Sequence, residues 1–185
     1  RIKYTDNKKF HYLGLYLSLL AKLNIKIETK KHYLPFIPNS NNIFLNKKYL
    51  LFHLDKRWET FPLKVRDNLK RKITSLSYDN KIVVTSNIGC NNFYNFIKKK
   101  LLNSSNIEFY DEPTLNSIIS LVYFSETCIS SHSGLIVHTA AAFNKKIIDI
   151  VHDEIFNELD RWVPFDTNYK RYNVQNFLDE SFKFA

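Results

Sequence analysis

The sequence is short of cysteine, glycine and methionine, with two, three and none of these in 185 residues. Cys90 and Cys128 have neither the spacing of a redox pair nor that of a zinc site, so a disulfide scaffold and a zinc module are excluded. We expect two reduced structural thiols, as in a cytoplasmic protein. No apolar run approaches the length of a membrane span, so we also expect no transmembrane helix.

Motifs that mark several common enzyme classes are also missing. The sequence has no Gly-x-Gly-x-x-Gly dinucleotide fingerprint, no P-loop lysine, no His-Glu-x-x-His zinc motif and no nucleophile elbow. His53 and Asp55 form only a weak candidate metal pair, because no third ligand accompanies them. We therefore expect a protein without a bound metal or a cofactor.

Lysine and arginine outnumber the acidic residues 27 to 18, which gives a formal net charge of +9. A basic surface suggests an anionic partner: a phosphate, a nucleic acid or a membrane surface. The alternative is a set of solvated lysines on helix faces, where residues 64–72 and 98–100 are predicted to lie. Dispersal of the basic residues over several helices argues against nucleic acid, and leaves peripheral contact with an anionic membrane open.

Strand and helix patterns alternate over residues 48–185 and predict one α/β domain with a Rossmann-like, doubly wound parallel sheet. The strands are predicted at Tyr49–His53, Lys81–Thr85, Ile107–Tyr110, Thr127–Ser130 and Ile147–Val151. The helices are predicted at Leu63–Leu76, Asn92–Leu102, Leu115–Phe124, Gly134–Phe143, Asp153–Asp160 and Val174–Phe182. Residues 1–47 are expected to hold an N-terminal helix, Phe10–Leu23, and a linker rich in Asn and Pro.

Ligands of open α/β sheets bind beyond the carboxyl ends of the strands, so the residues that follow each strand are the candidates for a site. His53, Asp55 and Lys56 lie at the end of the first strand, and Ser86 follows the second. Lys56 could instead be an ordinary surface charge. By position alone, we count His53, Asp55 and Ser86 among the candidate ligand-binding residues.

The turn Ser131–Gly134, between the fourth strand and an alanine-rich helix, is the strongest candidate. A helix N-terminus offers free N–H groups and a positive dipole end to a phosphate, and the two serines add hydroxyl donors. In the alternative, Ser133 is only an N-cap and Gly134 a packing residue. His132 could then be a structural histidine, and His138, in mid-helix, more so.

The stretch from Cys128 to Phe143, followed by Asn-Lys-Lys-Ile-Ile-Asp-Ile, resembles the donor-site signature of glycosyltransferase family 9. These are the heptosyltransferases of lipopolysaccharide core assembly, with the pattern Asp-Ser/Thr-Gly-x-x-His-x-Ala-Ala-Ala. His53 with Lys56-Arg57-Trp58 resembles the family's segment at the first strand of the same domain, and His11–Ile25 resembles the segment leading into it. The resemblance implies the C-terminal half of a bacterial GT-B enzyme, which has two Rossmann-like domains, with its N-terminal domain missing or truncated.

The resemblance also implies roles for single residues. Ser133 and Gly134 would contact the diphosphate of the donor, and Lys56 would neutralise charge on the leaving nucleotide. His138 would match the histidine of the signature, and Leu115 would line the nucleobase pocket. The nucleotide sugar itself would be a substrate rather than a cofactor.

The chain also departs from the family pattern. His132 occupies the place of an acidic residue, and Asp55 lies where the family's first loop is rich in glycine. The spacing from Gly134 to His138 is one residue longer than in the family. Donors other than ADP-heptose therefore stay open. With Lys56 and a protonated His132 as its cations, the enzyme would transfer the sugar with inversion and without a metal.

We therefore predict a cytoplasmic donor-binding domain of a glycosyltransferase, with the inner face of the inner membrane as a site of peripheral contact. The acceptor would be lipopolysaccharide or another glycan or lipid-linked molecule. In the resembled family the general base lies in the N-terminal domain, so these 185 residues are expected to bind a donor without turnover. Two alternatives stay open: another GT-B-like enzyme, such as a nucleotide-sugar 2-epimerase, and a non-catalytic basic module that binds anions or nucleic acid.

Overall fold

The computed structural model describes residues 20, 22, 23, 48–87, 92–111, 113–164 and 167–182. Leu20 and Lys22 are helical, in agreement with the predicted helix Phe10–Leu23. The rest of that helix, the linker up to residue 47 and Cys90 lie outside the described residues, and the boundary between residues 47 and 48 stays a prediction. None of the helices described is long and apolar enough to cross a membrane.

The strands form one parallel sheet in the order β3-β2-β1-β4-β5-β6. They are β1 (Leu50–His53), β2 (Ile82–Thr85), β3 (Ile107–Tyr110), β4 (Thr127–Ser130), β5 (Lys146–Val151) and β6 (Tyr169–Asn173). The predicted Rossmann-like sheet is confirmed. The strand order reverses between β1 and β4, and sheets of this kind bind their ligands beyond the carboxyl ends of the strands at such a reversal.

Helices cover both faces of the sheet. They are α1 (Leu63–Leu76), α2 (Asn92–Leu101), α3 (Leu115–Phe124), α4 (Gly134–Ala142) and α5 (Val174–Asp179). Helices α1, α2 and α5 pack on the strand face that includes Leu50 and Phe52, and α3 and α4 pack on the face that includes Leu51. Successive strand residues point to opposite faces, so His53 lies on the side of α3 and α4.

Local signals set several helix ends. Helix α3 begins where the side-chain oxygen of Thr114 accepts a hydrogen bond from the N–H of Ser117, at 3.2 Å. Helix α5 begins where Asn173 accepts one from the N–H of Asn176, at 2.8 Å. Such caps satisfy N–H groups that a helix leaves without partners. Along α1, the buried apolar side chains recur at the helical period, at Leu69, Ile73 and Leu76.

Near the end of the chain one prediction is wrong and one strand was missed. The helix expected over Asp153–Asp160 is replaced by two short 3-10 helices, Asp153–Ile155 and Glu158–Trp162, because neither segment has an N-cap bond or buries an apolar stripe. The strand β6 was not predicted. Its residues carry Lys170 and Arg171 at the edge of the sheet, where charge is common and the apolar alternation of a strand is weak.

Among α1–α5, the Lys and Arg residues lie on two helices. Helix α1 contains five Lys or Arg residues and α2 three, whereas α3 and α4 contain no Lys, Arg, Asp or Glu. Helices α1 and α2 lie in the same layer because both connect parallel strands in the same direction across the sheet, and such crossovers have one hand. Helix α4 therefore lies on the opposite face of the sheet from the Lys and Arg residues of α1 and α2.

Cys128 confirms the prediction of a structural thiol, since it is fully buried in β4. Burial raises the pKa of its thiol to about 12, although the hydroxyl of Ser125, 3.1 Å from the sulfur, opposes this shift. The thiol is therefore protonated at neutral pH and does not act as a nucleophile.

Thr127 offers a test of the core. It is buried at the start of β4, and its Oγ1 has no hydrogen-bond partner among the described residues. Thr127→Val is expected to raise the free energy of unfolding by about 1 kcal/mol, because an unsatisfied buried hydroxyl is removed. Urea unfolding followed by circular dichroism measures the change.

Ser125 provides the matched control for Thr127. Its hydroxyl is also buried near β4, but it donates to the carbonyl of Val122 at 2.8 Å. Ser125→Ala is therefore expected to lower the free energy of unfolding by about 1 kcal/mol. A loss of stability in both variants would contradict the description of Thr127.

Candidate functional site

The turn between β4 and α4 presents an open helix N-terminus. Helix α4 begins at Gly134, and its first backbone bond, from the N–H of Val137 to the carbonyl of Ser133, is 2.8 Å long. Within the described part of the chain, the N–H groups of Gly134, Leu135 and Ile136 have no acceptor. These groups and the positive end of the helix dipole are thus available to an anion.

The two structural alternatives for this turn are not supported by its geometry. A β-carbon built on Gly134 would meet no atom within 4 Å, so Gly134 is not a packing residue. Ser133 takes the N-cap position, but its side chain makes no capping hydrogen bond. The glycine leaves the backbone open to close approach, as a phosphate-binding turn requires.

His132 is fixed by a buried carboxylate that the sequence analysis missed. Asp149, in β5, accepts a hydrogen bond from the backbone N–H of His132 at 2.6 Å. Its second oxygen lies 2.7 Å from Nδ1 of the His132 ring and accepts from the hydroxyl of Tyr169 at 2.6 Å. One amide of the turn is therefore already occupied, and His132 has a structural role. A signal existed in the sequence: a single carboxylate inside the apolar run Ile147–Val151.

Asp55 caps the 3-10 helix Lys56–Thr60 that follows β1. Its oxygens accept from the backbone N–H of Arg57 at 3.0 Å and from the guanidinium of Arg57 at 2.6 Å. Burial raises the pKa of this carboxyl, while Arg57 opposes the shift. Because its oxygens are occupied by the protein, Asp55 is placed to shape the loop around a ligand rather than to hold the ligand through those oxygens.

Trp58 anchors the same 3-10 helix to the core. Its ring is fully buried and stacks on Phe93, with centroids 5.8 Å apart, and its Nε1 donates to the carbonyl of His53 at 3.0 Å. Lys56, at the first position of the 3-10 helix, is exposed. The packing of Trp58 thus holds Lys56 at the surface, at the carboxyl end of β1.

His53 is fully buried at the end of β1, and its Nε2 lies 2.9 Å from Oδ1 of Asn87. Burial lowers the pKa of His53 to about 4; the hydrogen bond with Asn87 opposes this shift and the nearby Arg57 adds to it, so the ring is neutral at pH 7. With Asn87 accepting from Nε2, the buried Nδ1 is an acceptor that has no partner among the described residues. Ser130 is the register partner of His53 in β4. Its buried Oγ also has no hydrogen-bond partner among the described residues.

Strand register aligns these groups in a row. Thr85, His53, Ser130 and Asp149 occupy equivalent positions on the neighbouring strands β2, β1, β4 and β5. All lie at or near the carboxyl ends of their strands, on the side of α4. The strand order therefore brings the predicted residues of β1 and the turn Ser131–Gly134 together at the carboxyl ends of the strands, where the strand order reverses.

The remaining predicted residues occupy different positions near the carboxyl ends of the strands. Ser86 is buried directly after β2, and Ser131 is buried at the start of the turn. Leu115 is 55% exposed at the first position of α3, which begins beyond the carboxyl ends of the strands, as α4 does. His138 is exposed, one helical turn beyond Gly134, so it is not a buried structural histidine.

No group of three or more His, Cys, Asp or Glu side chains that could hold a metal ion occurs among the described residues. The exposed Lys56 and the unbonded N–H groups of α4 both lie at the carboxyl ends of the strands, where they are open to an anion.

No protein-family model matches the sequence, and no curated protein matches it at a significant level. Solved structures do match. A family 9 glycosyl transferase from Veillonella parvula superposes with a TM-score of 0.64 at 9% identity, over 92% of this chain and 51% of that one. The E. coli ADP-heptose lps heptosyltransferase II superposes with a TM-score of 0.57 at 12% identity, over 90% of this chain and 49% of that one. The chain has the fold of one half of a GT-B protein.

The half-GT-B fold is shared with a second class of enzyme. A UDP-GlcNAc 2-epimerase from Methanocaldococcus jannaschii, solved with UDP-GlcNAc and UDP, superposes with a TM-score of 0.52 at 16% identity, over 71% of this chain and 37% of that one. The chain spans about half the length of the two transferases and less of the epimerase. At these identities the likeness establishes the fold, and function follows from the site.

Proposed function

We propose that this domain binds the nucleoside diphosphate part of a nucleotide sugar and serves as the donor half of a glycosyltransferase. The observation that carries the proposal is the open N-terminus of α4, with the free N–H groups of Gly134, Leu135 and Ile136 at the reversal of the sheet. A diphosphate fits this feature because it accepts several hydrogen bonds and is stabilised by the helix dipole.

A second observation supports a polar ligand here. The buried Nδ1 of His53 and Oγ of Ser130 lack partners among the described residues, and they lie side by side on β1 and β4. Buried polar atoms are nearly always satisfied by protein, water or ligand. Nδ1 of His53 can accept a hydrogen bond, and the hydroxyl of Ser130 can donate or accept one. Together they can bind a hydroxyl of the ligand, or a water molecule that the ligand orders.

The likeness to GT-B enzymes supports the choice of ligand class. One similar structure is named for ADP-heptose and another holds UDP-GlcNAc and UDP, so both carry nucleoside diphosphate chemistry. We propose an ADP-heptose-like donor, with lipopolysaccharide or another surface glycan as acceptor. The general base would come from an N-terminal domain of the bacterial protein, in the cytoplasm or at the inner face of the membrane.

The proposed transfer is inverting and needs neither a metal nor a cofactor. Lys56 supplies positive charge that stabilises the leaving diphosphate, together with the dipole of α4. Ser133 and Ser131 flank the phosphate position, while Leu115 and His138 lie on the open sides of α3 and α4 where the rest of the donor would extend.

Calorimetric titration of the 185-residue chain with ADP, UDP and GDP tests the proposal. Heat of binding at millimolar nucleotide is expected for at least one of them. Ser133→Ala is expected to weaken that binding about fivefold, the worth of one hydrogen bond of about 1 kcal/mol. Ser125→Ala, near the amino end of β4 and away from the proposed site, is the control and should leave the affinity unchanged. The absence of heat with all three nucleotides would contradict the proposed function.

A second candidate is a nucleotide-sugar 2-epimerase, which the likeness to the Methanocaldococcus jannaschii enzyme favours. The nucleotide titration alone does not separate the two, because both bind nucleoside diphosphates. Incubating the natural full-length protein with a labelled nucleotide sugar does. Label that moves to an acceptor supports a transferase, whereas an isomerised nucleotide sugar supports an epimerase.

A further inference from the structure

A buried carboxylate stands directly behind the proposed phosphate site. Asp149 is fully buried in β5 and points to the face of the sheet opposite Ile148 and Ile150, which pack in the core. Burial of a carboxylate among apolar side chains is costly unless hydrogen bonds compensate for the lost water. Asp149 has such compensation from three donors: the backbone and the ring of His132, and the hydroxyl of Tyr169.

The backbone at His132 is left-handed. His132 has a φ of 49°, in a region that is uncommon for residues other than glycine, although Asn, Asp and His are enriched there. Asp149 holds the residue at two points, because one oxygen takes the backbone N–H and the other faces Nδ1. The left-handed residue changes the direction of the chain directly before α4, so it determines where the free N–H groups of α4 point.

The same contact fixes the ring. With Nδ1 donating to the carboxylate, Nε2 is the free nitrogen and lies on the far side of the ring from β5. The His132 side chain is 19% exposed, so part of the ring reaches the surface. A ring held in this way offers the ligand one nitrogen in one orientation.

A second layer of side chains completes the support. The hydroxyl of Tyr169 accepts from Nε of Arg171 at 3.2 Å, and Arg171, largely buried, also donates to Asp160 at 2.7 Å. The guanidinium thus lies close behind Asp149 and links β6 to the 3-10 segment after β5. Both elements were missed or mispredicted from the sequence, and both support the turn.

We infer that Asp149 is a positioning residue for the proposed nucleotide site, which fixes the left-handed turn at His132 and holds Nδ1 of that ring as a donor, so that Nε2 is left to accept a hydrogen bond from a hydroxyl of the ligand. The inference rests on the proposed function for the identity of the ligand. The tautomer that Asp149 imposes on the ring is a property of the protein without ligand.

Ring nitrogen NMR of the whole 185-residue chain tests the tautomer, with His132→Asn used to assign the His132 signals. Asparagine tolerates the left-handed region, so this variant keeps the turn. In the wild-type protein Nδ1 is expected to carry a proton. In Asp149→Asn that signature is expected to be lost, because the carboxylate that held the proton is gone. An unchanged ring spectrum in Asp149→Asn would overturn the inference.

A double-mutant cycle with ADP and UDP tests the effect on binding. Asp149→Asn and His132→Asn are each expected to weaken binding about tenfold, and the double variant little more than either, because the two residues act together. Additive losses would overturn the inference. If the wild-type chain binds neither nucleotide, the proposed function is wrong. The ring-nitrogen spectrum then still tests whether Asp149 fixes the His132 ring.

Tyr169→Phe covers the case in which Asp149→Asn does not fold. It removes one of the three donors and keeps the carboxylate. The Nδ1 proton of His132 is expected to remain, with a changed chemical shift, and nucleotide binding is expected to weaken about threefold, less than the loss of a charged partner. An unchanged chemical shift together with unchanged affinity would count against the network.

Discussion

Trp58→Ala is expected to lower the free energy of unfolding by about 3–5 kcal/mol, the cost of removing a fully buried tryptophan. The side chain fills the space between Phe93, on which it stacks, and Phe61, whose ring centroid lies 5.6 Å away. The variant also loses the hydrogen bond to the carbonyl of His53. Urea unfolding followed by circular dichroism gives the loss, which is large enough to unfold a marginally stable domain.

Trp162 is the matched control for this prediction, since the sequence has only these two tryptophans. Its side chain is 47% exposed on a 3-10 helix. Trp162→Ala is expected to change the free energy of unfolding by no more than about 0.5 kcal/mol, as is usual at the surface. Equal losses in the two variants would show that the packing described around Trp58 is wrong.

Acidification is expected to lower the free energy of unfolding by about 3 kcal/mol between pH 6.5 and pH 4 through His53 alone. The pKa of His53 is lowered from 6.5 to about 4 in the folded protein, chiefly by burial. In this pH range the unfolded chain binds a proton at His53 and the folded protein does not. Protonation therefore favours the unfolded state, and the stability present above pH 6.5 is lost progressively as the pH falls.

His53→Gln removes the titrating ring and is the test of the pH prediction. The free energy of unfolding of the wild-type chain, measured in urea from pH 7 to pH 5, is expected to fall more steeply than that of the variant. Asp55 acts in the opposite direction, because its raised pKa lets the folded protein take up a proton first, and it does so in both the wild-type chain and the variant. Parallel pH profiles for the two proteins would contradict a buried, neutral His53.

Much of the fold could be predicted because its signals are local. The predicted bounds of α1 and α3 match the structure, since apolar residues recur at the helical period and a side chain caps α3. The turn after β4 was located from the strand end and the alanine-rich helix that follows it. Residues of β6 gave no such signal, because this edge strand exists only through its pairing with β5.

The candidate site also has features that are set locally and features that are set by the tertiary structure. The sequence by itself determined that Ser133 and Gly134 stand at a helix N-terminus after a buried strand, because strand and helix periodicity depend on neighbouring residues. It also placed His53 and Lys56 at the end of another strand. Only the tertiary structure decided that these two ends are adjacent and that Asp149 holds His132. Both contacts depend on the order of strands in the sheet, and that order is set by packing of the whole domain rather than by any local stretch of the chain.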